Sequence, residues 1–401
     1  MSHPARMKTM KNSIIKYLTT ALILLSQACT STEVVTANST PAIQSTEQIP
    51  EELLLDIGIL PLAPNIPEMD EDEKKNSIVP DVRNAESRFM AYHLKDTLEL
   101  TGNWGAVRVT PEASQAVDLQ LEGKILLSDG EQLKIRIRAS DSTGNVWINK
   151  EYRDLASKFS YELPKEDPFQ DLYNDIADDL LLARQKYSME DIKLIRQVSS
   201  LKYARSLSPD AFGGYLVEDR RGNVDIKQLP ASNDTMLTRV NRIKEQEYLF
   251  VDTLDDYYGR FYRDMKPSYD EWRFATYDEA IRLRLMKVQA RNRLITGAAL
   301  IVGGIYAGQE SRTWAGGAAS SGAVIGGIAA IKSGLDRRKE AEIHAESLRE
   351  LSQSLGAEIT PFVLDIEGKT IELTGTADDQ YQQWRKILKE IYIEETAIPV
   401  E

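Results

Sequence analysis

The sequence predicts an α+β chain, and three features lead there. Leu133, Ile135, Ile137 and Ala139 alternate with Lys134, Arg136 and Arg138, the period-two pattern of a strand with one buried face. Val82–Leu100 repeats apolar residues at helical spacing, with Ala85, Phe89 and Tyr92 beside Met90, Leu94 and Leu98. Asp129-Gly130 is a strong hairpin signal between two apolar runs.

In chain order, Leu53–Leu62 is an apolar run closed by prolines and reads as a buried strand. The acidic segment Pro64–Pro80 reads as a solvated loop. The Val82–Leu100 helix comes next, then three or four strands: Ala106–Thr110, Leu119–Leu127, Leu133–Ala139 and Val146–Tyr152, with a second turn at Asp141–Asn145. A helix over Pro168–Tyr187 carries Phe169, Leu172, Ile176 and Leu180 on one stripe. The N-terminal order is thus β-α-β-β-β-α over residues 51–190.

Residues 191–293 are expected to be helical, broken by a loop at Leu207–Asn233. Asp234 is placed to cap a helix ending near Met265, and Ser268 to cap another from Tyr269 toward Arg293. Between Tyr248 and Tyr277 lie six tyrosines with Trp272, Phe250, Phe261 and Phe274, interleaved with Arg260, Arg263 and Arg273. Two readings stand: a stacking surface for glycan or peptide, or packed helices whose tyrosines bridge core and water. Residues 335–401 continue as a charged helix to about Leu355. A hairpin of Phe362–Ile366 with Thr370–Leu373 follows, then a helix over Asp378–Ile393 with Tyr381, Trp384, Leu388 and Ile391 on one stripe. This β-β-α unit is too small to stand alone and is expected to dock on the body.

Residues 1–28 have the parts of an export signal. Lys8, Lys11 and Lys16 precede an apolar stretch centred on Leu18–Leu25, too short for a spanning helix. Cys29, the sole cysteine, follows at once. Leu25-Ser26-Gln27-Ala28-Cys29 resembles the lipobox of bacterial lipoproteins, although Ser26 and Gln27 depart from that family's preferred residues. The resemblance implies that Cys29 is acylated and becomes the mature N-terminus. Because Thr30 rather than Asp follows, it also implies the outer membrane with the body in the periplasm. Residues 29–50, rich in Ser, Thr, Gln and Pro, read as a flexible tether. In order of elements alone, residues 50–190 resemble small α/β domains of envelope factors. Examples are the N-terminal domain of the Tol-system β-propeller protein, the curli secretion lipoprotein and the penicillin-binding-protein activator lipoproteins. Likeness of topology carries no chemistry across.

Residues 294–334 are unlike their surroundings: ten of the 23 glycines lie there. Two uncharged limbs, Leu294–Gln309 and Thr313–Ile331, flank Glu310-Ser311-Arg312. Small residues recur every four positions at Ala318, Gly322, Gly326, Ala330 and Gly334. Ala299, Gly303 and Ala307 do the same, and Gly304 pairs with Gly308. That spacing lines one helix ridge and lets backbones approach closely. Glycine costs about 1 kcal/mol per helical position against alanine, so packing or a membrane must compensate. The stretch resembles the glycine-zipper two-TM segments of outer-membrane lipoproteins. A membrane hairpin, a soluble zipper in an oligomer and a Gly-rich loop all remain open. Arg291, Arg293, Lys332, Arg337 and Arg338 flank it with positive charge suited to anionic headgroups.

Composition narrows the chemistry. There are 49 basic and 62 acidic residues, a net charge of −13; without residues 1–28, which hold four bases, it is −17. That argues against a nucleic-acid binder. One cysteine and three histidines leave no internal disulfide and no Cys/His metal framework, and no cofactor is expected. His93 and His344 each lie on a helix beside apolar residues and read as packing or capping groups. No nucleophile elbow, Walker loop, dinucleotide fingerprint or zincin motif occurs. The expectation is a non-enzymatic envelope lipoprotein, structural or assembly in role, anchored at Cys29 and self-associating through the Gly-rich hairpin. The alternatives are a subunit of an oligomeric export channel and a carboxylate-dependent peptidoglycan enzyme.

Overall fold

A computed structural model describes residues 39–67, 78–162, 164–231, 233–306, 343, 345–350, 353, 362–366 and 369–396; at 283, 286–306, 364–366, 369–370 and 396 it describes the backbone alone. The acidic residues 68–77 and His344 therefore lie outside the described residues, as does most of the charged helix expected after Gly334. Helices and strands both contribute, as the α+β reading requires.

A five-stranded sheet with order β2-β1-β3-β4-β5 forms the centre. Its strands are β1 (Ile57–Ile59), β2 (Val107–Val109), β3 (Leu119–Ser128), β4 (Gln132–Asp141) and β5 (Val146–Leu155). β1 runs parallel to both β2 and β3, aligning Ile57 with Val107 and Leu119. β3, β4 and β5 form an antiparallel meander. The alternation in β4 decides its faces: Leu133, Ile135, Ile137 and Ala139 are buried. On the other face Lys134 and Arg136 both pair with Glu151 of β5. Gly130 (φ 84°) and Gly144 (φ 95°) supply the left-handed turns that join β3 to β4 and β4 to β5.

Five expectations need correction. The first strand is three residues rather than Leu53–Leu62. Glu51–Leu53 is a 3-10 turn, and Pro61, with no N–H, interrupts the ladder, although the Leu60 and Ala63 N–H groups still donate to the Leu121 and Gly123 carbonyls of β3. All four later strands join the sheet, so the order is β-α-β-β-β-β-α. The expected loop Leu207–Asn233 contains a helical turn, α5 (Pro209–Phe212), and a small hairpin, β6 (Leu216–Glu218) with β7 (Val224–Ile226). A Val224 N–H bond to the Thr143 carbonyl ties that hairpin to the β4–β5 turn.

The fourth correction concerns residues 39–50, expected to be part of a flexible tether. Ser39–Ser45 instead lie as a strap on two helices, α1 (Pro80–Thr101) and α3 (Gln170–Arg184). The Thr40 and Ile43 N–H groups donate to Asp171 and Asp178. Ser39 donates from both N–H and Oγ to Glu166, and the Ser45 N–H reaches the Thr101 carbonyl at 2.7 Å.

The remaining helices are α2 (Lys158–Glu162), α4 (Met189–Leu207), α6 (Thr235–Tyr306) and α7 (Ala377–Thr396). A Ser188–Asp191 capping box starts α4. Asp234 caps α6 as expected, accepting from the Met236 and Leu237 N–H groups. The predicted break before Ser268 does not occur: α6 is continuous for 72 residues with Pro267 inside it. Core contacts on both sides of the proline anchor the helix, since Met265, Tyr269 and Trp272 are all buried.

α1 packs antiparallel on α6: Glu86 meets Tyr269, His93 meets Tyr262, and Lys95 meets Asp255. The C-terminal hairpin, β8 (Phe362–Ile366) with β9 (Lys369–Leu373), and α7 dock on the first half of α6. Phe250 touches both Phe362 and Trp384, and the Tyr381 hydroxyl donates to buried Glu247 at 2.9 Å. Sheet, α1, α3, α4, α6 and α7 thus share one hydrophobic core.

Candidate functional site

The residues singled out by sequence are not brought together within the described structure. Cys29, Gly308, Gly322, Gly326 and Gly334 lie outside the described residues. Gly303 and Gly304 fall on the last turns of α6, whose helical backbone reaches Tyr306. Among the described residues no helix is long and apolar enough to cross a membrane. The aromatic run from Tyr248 to Tyr277 is mostly internal: Phe250, Tyr258, Phe261, Tyr269, Trp272 and Tyr277 are buried. Arg273, read as part of a stacking surface, is 2% exposed.

The side chains that do converge surround His93. The α1 positions 93, 96, 97, 100 and 101 form one helical stripe, and all five line a cavity of about 480 Å³. The strap supplies a second wall through Ser39, Pro41, Ala42 and Gln44. Lys165, Glu166, Gln170 and Asn174 supply a third, and Tyr262 of α6 forms part of the floor. The spacing of His93, Asp96 and Thr97 was visible in the sequence. The strap and α3 walls were not, because they come from distant segments.

His93 is buried and both ring nitrogens are engaged. Gln170 Nε2 donates to Thr97 Oγ1 and to Asn174 Oδ1, which leaves its Oε1 to accept from His93 Nε2–H at 2.8 Å. Nδ1 then accepts from the Tyr262 hydroxyl at 2.7 Å. Phe89 stacks near the ring and Tyr173 meets it edge-on. Burial pushes the His93 pKa down, against an opposing pull from Asp167. The imidazole is a neutral, fixed strut between α1, α3 and α6.

Charge is arranged around it in pairs. Behind His93, Asp167 accepts two bonds from the Arg273 guanidinium. Burial alone would raise the Asp167 pKa, but the adjacent Arg273 holds it well below the carboxylate range. Lys95, desolvated on the far side of α1, is kept charged by Glu99 and Asp255. Asp96 differs: burial pushes it up to about 6, and its nearest cation, Lys95, is 3.9 Å away.

The cavity offers hydroxyl, amide and carboxylate groups to a small polar molecule. Its histidine is committed to internal bonds and offers no free base. Among the described residues no group of three or more His, Cys, Asp or Glu side chains could hold a metal ion.

No family model matches the chain, and no curated protein matches it. Among solved structures, a PelC dodecamer from Paraburkholderia phytofirmans is similar over 37% of this chain and 94% of that one. The identity is 17% and the TM-score 0.19, too low for any structural argument.

Proposed function

We propose that the chain is an outer-membrane lipoprotein, held by an acylated Cys29, whose periplasmic body is a non-enzymatic structural or assembly component. Self-association occurs through the Gly-rich segment at 294–334. The observation that carries the reading is the course of α6. It runs unbroken from core residues such as Trp272 into the first Gly-rich limb, reaching Tyr306. From Arg284, which pairs with Glu131 on the body, to Tyr306 is about 33 Å of helix at 1.5 Å per residue. A helix whose first half is locked by Asp167, Glu86 and Asp234 and whose last turns are Gly-rich is suited to carry a packing element away from a rigid body. The engaged state of His93 supports a non-catalytic role.

Cys29→Ser tests the anchor. The wild type is expected to fractionate with outer membranes and to be released only by detergent, as several acyl chains hold a protein firmly where one does not. The variant is expected to accumulate as an unlipidated precursor. Normal processing and normal fractionation of the variant would overturn the reading.

A further inference from the structure

Resting on that reading, we infer that one particular end of the body faces the bilayer: the end where the β3–β4 turn and α2 lie, and from which the strap and α6 both depart. Three independent features place the lipid surface there.

The first is direction. The strap runs parallel to α3, with Thr40 at Asp171 and Ile43 at Asp178. It also runs parallel to α1, with Ser39 near the His93 level and Ser45 at Thr101. α1 is antiparallel to α6. Followed backward from Ser45 to Ser39, the strap therefore points the way α6 points toward Tyr306. At its exit Ser39 is bonded to Glu166, beside the Asp167 that grips Arg273.

The second is length. Leu294, where the Gly-rich limb begins, lies 21 residues beyond Arg273, or about 32 Å of helix. Ten residues of chain from Ser39 back to Cys29 span at most about 35 Å. A lipid at Cys29 and a Gly-rich limb starting at Leu294 can meet the same surface only on this side.

The third is charge. Residues 235–280 of α6 hold ten acidic and seven basic side chains. Residues 281–293 hold five bases and no acid; Arg284 is committed to Glu131, so the collar consists of Arg282, Lys287, Arg291 and Arg293. In a chain of net charge −13 this basic collar sits immediately before the Gly-rich limb, where anionic headgroups would meet it.

The test uses the full lipidated chain, in which acylation leaves no native thiol to label. A donor dye is attached through Phe159→Cys or through Leu249→Cys, both exposed positions. Position 159 is on α2, whose Tyr161 packs on Tyr277; position 249 is 28 residues earlier on α6, about 42 Å of rise away. Each protein is bound to vesicles of phosphatidylethanolamine and phosphatidylglycerol carrying a headgroup acceptor dye. Energy transfer is expected to be several-fold greater from position 159. Equal transfer, or greater transfer from position 249, would overturn the orientation while leaving the anchor intact. A protein that fails to float with the vesicles would overturn the anchor and the orientation together.

Discussion

Arg273 of α6 and Asp167, just ahead of α3, face each other as a two-pronged ion pair, each only 2% exposed. The guanidinium also lies over the Tyr269 ring and reaches Asp270. Breaking one half would strand a buried charge, which costs about 3–5 kcal/mol. Asp167→Ala is expected to lower unfolding free energy by that order in urea titrations. Because the folded carboxyl is depressed, its contribution is full above its unfolded pKa and is lost as pH falls through the folded value. The wild type and the variant should therefore converge in strong acid.

His93 and Asp96 give pH effects of opposite sign. Burial lowers the His93 pKa from its ordinary 6.5, so the unfolded chain binds that proton more readily. Stability from the neutral ring is complete above 6.5 and is lost as pH falls below it. Asp96, raised to about 6, stabilises only while protonated, and that contribution is lost as pH rises from 3.8 through 6. In melting curves between pH 5 and 8, His93→Gln should remove the acid-side loss. Asp96→Asn should raise the melting temperature at pH 8, modestly, since the side chain is 39% exposed.

Gly130 has φ of 84°, and a Cβ there would strike the Arg273 carbonyl and approach Thr276 Oγ1 to 2.7 Å. The Gly130 carbonyl also accepts from the Tyr161 hydroxyl. Gly130→Ala is expected to cost about 2 kcal/mol or more, through backbone strain and displacement of α6. Chemical denaturation would read the loss.

Pro267 sits inside α6 and removes one helical hydrogen bond. Pro267→Ala should stabilise the protein by about 1–3 kcal/mol. An unchanged or lowered melting temperature would show that the packing of Tyr269 and Trp272 needs the proline.

Gly322→Leu with Gly326→Leu tests the Gly-rich segment. In a Cys29→Ser background, a membrane hairpin should stay membrane-bound and lose its oligomer, because bulky side chains separate the helices. A soluble zipper would instead be overpacked and the protein degraded or destabilised. Cross-linking and flotation together distinguish the two.

Local pattern by itself determined several elements of the body. Alternation in Leu133–Ala139 set β4, and Asp129-Gly130 set its turn. The stripe through Phe89 and Leu94 set α1, and Asp234 set the start of α6. Each of these depends on side chains a few residues apart, so the sequence carries the whole cause. Tertiary contacts decided the rest. Pro267 and Ser268 signal a helix end, yet with Tyr269 against Glu86 and Arg273 against Asp167 α6 stays helical through them. Ser39–Ser45 has the composition of a loose linker, yet its backbone N–H groups meet carboxylates from α3 and the loop before it, more than a hundred residues away. His93 shows a polar position on a helix, but its tautomer and burial depend on Gln170 and Tyr262 from two other segments. A long-range partner leaves no mark in local spacing, because what fixes it is the folded arrangement that brings the two segments into contact.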